Sequence, residues 1–280
     1  ESGNLTAALR RAVENRRGDV ALALTAALGR WWRWRGRARE GLDWFARVRD
    51  LGDADEPSTP RVRSLLAEGL LLEKVGAYDR ADRAFERALD HATRLGDAGL
   101  VAAARTDQAT VAWRRGDLRA ASALLAQAAA RYRELGRDAA LAGTLNNLGN
   151  VARDAGDLAD AHARYDEALR LAERLGHVWE VANVRNNKAI AHAYARDLEA
   201  ARGEFERALA LQRSIDDRPG VSKSLTNLGN VHLDTDQSDR ARELYGEALE
   251  LCEEIGDREG AAHLYVNLSL IHISEPTRPY

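Results

Sequence analysis

A period of 40 residues constrains this chain more than any other feature. Leu95-Gly96, Leu135-Gly136, Leu175-Gly176, Ile215-Asp216 and Ile255-Gly256 recur at that interval. Midway between them stand Gly76, Gly116, Gly156, Arg196 and Asp236, with Gly36 one period earlier. Two breaks per period leave two segments long enough for a helix of four turns or more, and each carries apolar residues at helical spacing, as in Leu158, Ala161, Tyr165, Ala168, Leu169 and Ala172. The repeating element is therefore a helix pair. Gly116-Asp117 and Gly156-Asp157 supply a C′ glycine for one helix and an N-cap carboxylate for the next.

The same register fixes residue size. One first-helix position reads Gly29, Gly69, Ala109, Gly149, Ala189, Gly229. Two second-helix positions are also small (Gly41, Ala81, Ala121, Ala161, Ala201, Ala241 and Val48, Ala88, Ala128, Ala168, Ala208, Ala248), and between them lies a large residue: Phe45, Phe85, Leu125, Tyr165, Phe205, Tyr245. Small residues let helices approach closely, and the large one fills the space between repeats. This pattern resembles the tetratricopeptide repeat in a 40-residue form, best matched by Gly149, Ala161, Tyr165 and Ala168. The resemblance implies an all-α fold: a right-handed α-solenoid of antiparallel helix pairs, its concave groove lined by first helices. Glu68, Gln108 and Lys188 replace the Leu28, Leu148 and Leu228 of other repeats, which predicts looser or more exposed packing there.

The expected organisation is a helical N-terminal segment with a degenerate first repeat over 1–56. An array over 57–267 follows, with repeats at 57–96, 97–136, 137–176, 177–216, 217–256 and a partial one at 257–267. Asp53–Pro60, with Pro57 and Pro60, is the expected irregular connection. The last residues, 268–280, break the pattern. Leu268 to Arg278 reads LSLIHISEPTR, which resembles an in-frame translation of a transposase adapter used in sequencing libraries, and is set aside from the fold. The chain lacks Met and carries 38 Arg against 3 Lys, pointing to a fragment of a protein from a high-GC bacterium.

Composition excludes several classes. No stretch is apolar for the roughly 18 residues a membrane helix needs. A single cysteine, Cys252, forbids a disulfide framework, and the net charge of −3 gives no global reason to expect direct nucleic-acid binding. These features fit a cytoplasmic protein. His192, His232 and His272 lie one period apart on successive first helices, about 10 Å from one another, whereas zinc ligands all sit about 2 Å from one ion. No metal, cofactor or catalytic constellation is expected, and the chain is read as a binding protein, not an enzyme.

Two clusters remain. Arg30-Trp31-Trp32-Arg33-Trp34-Arg35-Gly36-Arg37 interleaves tryptophan and arginine. Trp32 falls at the helix interface, while Trp31 and Trp34 point elsewhere and are candidates for docking another domain, for ordinary packing, or for stacking on nucleic acid. The second cluster is polar. Asp107, Asn147, Asn187, Asn227 and Asn267 occupy one register position, and Thr110, Asn150, Ile190 and Asn230 lie three residues later. Asparagine is a poor interior helix residue, so such a line needs a reason. Either these amides tie neighbouring repeats together, or Asn147, Asn187 and Asn227, helped by Asn150 and Asn230, grip the backbone of an extended peptide. First helices about 10 Å apart match about three extended residues at roughly 3.3 Å each. The family resemblance implies such a ladder. Arg153 adds a cation for an acidic ligand group, unless Asp154 neutralises it.

A further resemblance rests on Leu9-Arg10-Arg11-Ala12-Val13-Glu14, Gly18-Asp19-Val20-Ala21-Leu22-Ala23-Leu24, Trp31 to Gly36 and Glu40-Gly41-Leu42-Asp43-Trp44. These are similar to the segment that opens the C-terminal repeat region of large bacterial signal-transduction ATPases with an NB-ARC-type switch. The resemblance implies a sensor arm that restrains an upstream ATPase domain, often in a transcription regulator. A free-standing scaffold and an accessory arm of an enzyme are the competing readings.

Overall fold

The structure, a computed structural model, describes residues 2–49, 51 and 56–274; the side chains of Ser2, Trp34 and 272–274 lie outside the described set. Among the described residues there are fourteen helices and no strand. In chain order they are α1 (Ser2–Glu14), α2 (Gly18–Trp34), α3 (Ala38–Val48), α4 (Thr59–Lys74), α5 (Tyr78–Arg94), α6 (Ala98–Arg114) and α7 (Leu118–Glu134), then α8 (Asp138–Asp154), α9 (Leu158–Arg174), α10 (Val178–Tyr194), α11 (Leu198–Ser214), α12 (Arg218–Leu233), α13 (Ser238–Ile255) and α14 (Arg258–Ser274). The chain divides into two halves, Glu1–Arg137 and Asp138–Tyr280. Each half is an α-solenoid of antiparallel helix pairs stacked in sequence. No helix among the described residues is long and apolar enough to cross a membrane.

The turns form as the sequence dictates. Gly116 takes φ of 82°, the Gly116 amide donates to the Trp113 carbonyl, and the Asp117 amide donates to the Ala112 carbonyl at 2.9 Å, closing α6 with the paired bonds of a left-handed cap. The Asp117 carboxylate then accepts from the Ala120 amide at 3.0 Å and opens α7. Asp157 repeats this on Asp160, and each such cap contributes about 1 kcal/mol. Arg16, Arg196, Asp216 and Asp236 adopt the same left-handed conformation (φ 52–61°) without being glycine.

The core follows the size register. Phe85, Tyr165, Phe205 and Tyr245 are buried, and Phe85, Tyr165 and Tyr245 face Gly69, Gly149 and Gly229 of the preceding first helix. A Cβ added at Gly149 would lie 2.5 Å from the Tyr165 ring, so glycine there is required by the contact. Trp32 is fully buried and meets Phe45 edge-on at 6.0 Å, although its indole N–H has no partner among the described residues.

Three expectations need correcting. Glu68 is buried, not loosely packed: Arg49 of the preceding repeat reaches its carboxylate at 2.7 Å. Lys188, paired with Asp166 at 2.6 Å, and Gln108 are half-buried, more exposed than the buried Leu28, Leu148 and Leu228, as expected. Pro60 does not belong to an irregular connection. Ser58 caps α4 and Pro60 lies in its first turn, where a missing N–H costs nothing; Asp53 and its neighbours 52–55 are outside the described residues. Finally, α14 runs on through Leu268 to Ser274, with Ile271 buried beside Leu264 and Leu268 packed against the same core. The segment set aside as a tail is helical this far because Leu264, Leu268 and Ile271 share one face; Pro276 and Pro279 lie outside the described residues.

Candidate functional site

The second half brings the polar line together. Helices α8, α10 and α12 are first helices of successive repeats, and they carry Asn147, Asn187 and Asn227 at one register position. Asn187 is buried, while Asn147 and Asn227 are half-buried. The Asn187 Nδ2 donates to Asn146 Oδ1 at 3.0 Å, and the Asn227 Nδ2 donates to Asn186 Oδ1 at 3.1 Å. Asn187 and Asn227 therefore each reach back one repeat, to the residue just before their counterpart. Ser224 also donates to Asn186 Oδ1 at 3.3 Å and to Gln212 Oε1 at 2.7 Å. The Asn186 Nδ2 is buried without a partner among the described residues. No side-chain hydrogen bond engages Asn147 among the described residues of its half.

The outer pair is held from the other side. Tyr165 donates its hydroxyl to Asn150 Oδ1 at 2.9 Å, and Tyr245 does the same to Asn230 at 2.6 Å. Burial pushes the Tyr165 hydroxyl well above its usual range and that of Tyr245 to about 12, so both remain neutral donors. These bonds fix two kinds of amide. Asn187 and Asn227 have an Nδ2 proton committed and Oδ1 left over. Asn150 and Asn230 have Oδ1 committed and Nδ2 left over.

Arg153 extends the face. Its guanidinium is paired with Asp154 (Nε–Oδ1 2.9 Å), stands 3.5 Å from Asn150 Oδ1, and lies 5.9 Å from the Tyr194 ring centroid. Asp154 thus already holds the cation foreseen for an acidic ligand, and Tyr194, which sequence reasoning did not single out, is 65 % exposed beside it. Asn146 and Asn186 were also missed as partners, although the doubled Asn-Asn pairs were their signal.

The remaining candidates lie elsewhere. In the first half Trp31 is half-buried, packs against the core of α1 to α3, and has the Arg37 guanidinium 5.3 Å from its ring centroid; the Trp34 side chain is outside the described residues. His192 meets His162 with the rings inclined at 44° and their centroids 4.2 Å apart, and His232 pairs with Gln237 at 2.8 Å. Burial, then the charge of His192, pushes His162 below its usual range. Cys252 is buried with Sγ 3.1 Å from Ser222 Oγ. No group of three His, Cys, Asp or Glu among the described residues is placed to hold a metal ion.

With this geometry in hand, comparison with known proteins adds the following. A family model described as tetratricopeptide repeat matches residues 100–174, 140–214 and 180–254, and a second model of that repeat matches residues 64–99. No curated protein sequence matches. Among solved structures, NprR in complex with its cognate peptide NprX is similar over 92 % of this chain and 75 % of its own, with 13 % identity and a TM-score of 0.69. A Rap protein complexed with competence and sporulation factor is similar over 94 % and 79 %, with 14 % identity and a TM-score of 0.68. The repeat-sensor STAND (signal transduction ATPase with numerous domains) protein PH0952 from Pyrococcus horikoshii is similar over 91 % of this chain but 38 % of its own, with 13 % identity and a TM-score of 0.67. Identities this low speak for the fold alone.

Proposed function

The chain belongs to the tetratricopeptide repeat family, and on that footing we propose that it is a peptide-recognition module whose second half holds an extended partner segment along α8, α10 and α12. One observation carries this reading: Asn150, Asn187, Asn227 and Asn230 are each half-used, and Asn147 is free, among the described residues, along the same face. Bonds within the protein orient them, and what remains is an acceptor at Asn187 and Asn227 and a donor at Asn150 and Asn230. A peptide backbone needs alternating donors and acceptors, and pre-oriented groups bind it without first losing their own rotamer freedom. The cross-helix bonds also tie repeats together, so the ladder serves both ends. The chain does no chemistry on its ligand and works in the cytoplasm.

The larger context is a sensor arm of a bacterial signalling ATPase that regulates transcription, with the ligand releasing an upstream nucleotide switch. The resemblance of the first 50 residues supports this, as does the sensor role of the repeats in the Pyrococcus horikoshii protein. The NprR structure, which holds its cognate peptide on the same fold, supports a peptide as the ligand.

The test uses a peptide selected on the full chain from a displayed random library. Asn147→Ala and Asn230→Ala should each weaken it by about 1–3 kcal/mol, because a peptide group loses its partner, and the melting temperature should hold for Asn147→Ala. A lowered melting temperature with unchanged affinity would make the line structural only.

A further inference from the structure

The polar line has no counterpart in the first two repeats. Where α8, α10 and α12 carry Asn146, Asn186 and Thr226, helices α2 and α4 carry Ala26 and Leu66. Where those carry Asn147, Asn187 and Asn227, these carry Ala27 and Ala67. Leu70 stands in place of Asn150 and Asn230. The result is a trough of about 390 Å³ between α2 and α4, floored by Ala26, Ala27, Leu66, Ala67 and Leu70. That volume is within the roughly 300–1,000 Å³ of small-ligand pockets and takes one or two bulky side chains.

Two arginines stand in the trough wall, Arg30 from α2 and Arg63 from α4. Both are exposed, and neither has an ion-pair partner among the described residues. The contrast with their neighbours is sharp. Arg33 and Arg114 both reach Glu73, at 3.6 and 3.0 Å, and Arg49 reaches Glu68 at 2.7 Å. The carboxylates of α4 are thereby committed, and none is left for Arg30 or Arg63. An apolar floor under two unpaired guanidinium groups is complementary to one chemistry: a bulky aliphatic or aromatic side chain flanked by carboxylates. Guanidinium pairs carboxylate in a fixed, often two-pronged geometry, so the flanking charge is read with direction.

We propose that the α2–α4 trough is a side-chain-reading subsite of the ligand, taking an apolar residue bracketed by Asp or Glu. It rests on the reading of the chain as a peptide-recognition module and adds the specificity that a backbone-gripping asparagine line cannot supply.

The experiment uses the full chain and immobilised 12-residue peptides with one Leu-Phe core, flanked by acidic residues, by the matching amides, or by lysines. The acid-flanked set should be retained at least tenfold more tightly than the amide-flanked set. Arg30→Gln with Arg63→Gln should erase that preference, and Ala27→Glu, which places a carboxylate on the exposed floor, should do the same. Thermal melts of all three proteins should overlay, since every altered side chain is exposed. Equal retention of acid- and amide-flanked peptides, or a preference that survives both variants, overturns the subsite. The underlying reading fails separately: if library-selected peptides fail to bind at all, peptide recognition falls and the subsite with it, whereas binding that responds to Asn147→Ala but not to the arginine variants sinks the subsite alone.

Discussion

Asp107 is the acidic member of a position otherwise held by Asn147, Asn187, Asn227 and Asn267. It is half-buried, and the loss of water around it pushes its carboxyl up to about 7; Arg33 opposes the shift and Glu73 adds to it. The folded protein therefore holds this proton more tightly than the unfolded chain, whose value is near 3.8. Stability contributed by the neutral form is complete below the unfolded value and is lost as pH rises through the folded one. Asp107→Asn should thus match the wild type at pH 4, gain on it progressively between pH 4 and 7, and keep a constant advantage above. Urea unfolding at a series of pH values reads this directly. An advantage that shrinks as pH rises would show that Asp107 is held charged by Arg33 instead. Asp and Asn look interchangeable in a repeat register, so only the surrounding charges reveal the difference.

At the scale of the helix pair, the contact that matters is the one between the small first-helix residue and the ring of the second helix. Gly149 shows what it controls. A methyl group there meets the Tyr165 ring at 2.5 Å, and the same ring carries the hydroxyl that holds Asn150. Gly149→Ala should cost about 1–3 kcal/mol by overpacking and should also free the Asn150 amide. Chemical denaturation measures the first effect. The second would appear as a fall in the Tyr165 hydroxyl pKa in a spectroscopic titration, and a variant that is neutral in both would show that the pair simply spreads. The helix pairs were the most legible part of the sequence, because the breaks and the size register are local and recur. What escaped was non-local. Glu68 looks out of place in the sequence because its partner, Arg49, lies 19 residues back at the end of α3. Ser58 followed by Pro60 is a helix-start pattern, since a proline in the first turn breaks nothing, and it is easily confused with a break. Asn146 and Asn186 were visible as residues, whereas the choice of which neighbour Asn187 and Asn227 would meet depends on how far one helix is rotated against the next.

Across the whole molecule, stability in such arrays is nearly a sum over neighbouring elements. Helix α1 packs against α2, and α14 against α13. Tyr265, Val266 and Leu270 of α14 remain more than half exposed. Native-state hydrogen exchange should therefore find the amides of α14 opening by local fraying, insensitive to low denaturant, while α9 to α12, packed on both sides within their half, open only with larger units. Uniform protection along the chain would contradict a nearest-neighbour account. The period made this succession readable, but the role of the polar line stayed double because one amide can serve a neighbour and a ligand at once.

The back-reaching bonds of Asn187 and Asn227 carry one more implication, about how such a gene can change. Each bond joins a repeat to the one before it through equivalent residues, so a recombination event that removes residues 177–216 sets Asn227 where Asn187 now stands, opposite Asn146. Tyr165 with Gly149 and Tyr245 with Gly229 would then be consecutive, the ring packed on glycine in both. A whole period can be lost or duplicated with the amide bond at the splice and the ring-on-glycine contact both kept, and the length of the recognised segment becomes a quantity that unequal crossing-over can adjust one repeat at a time.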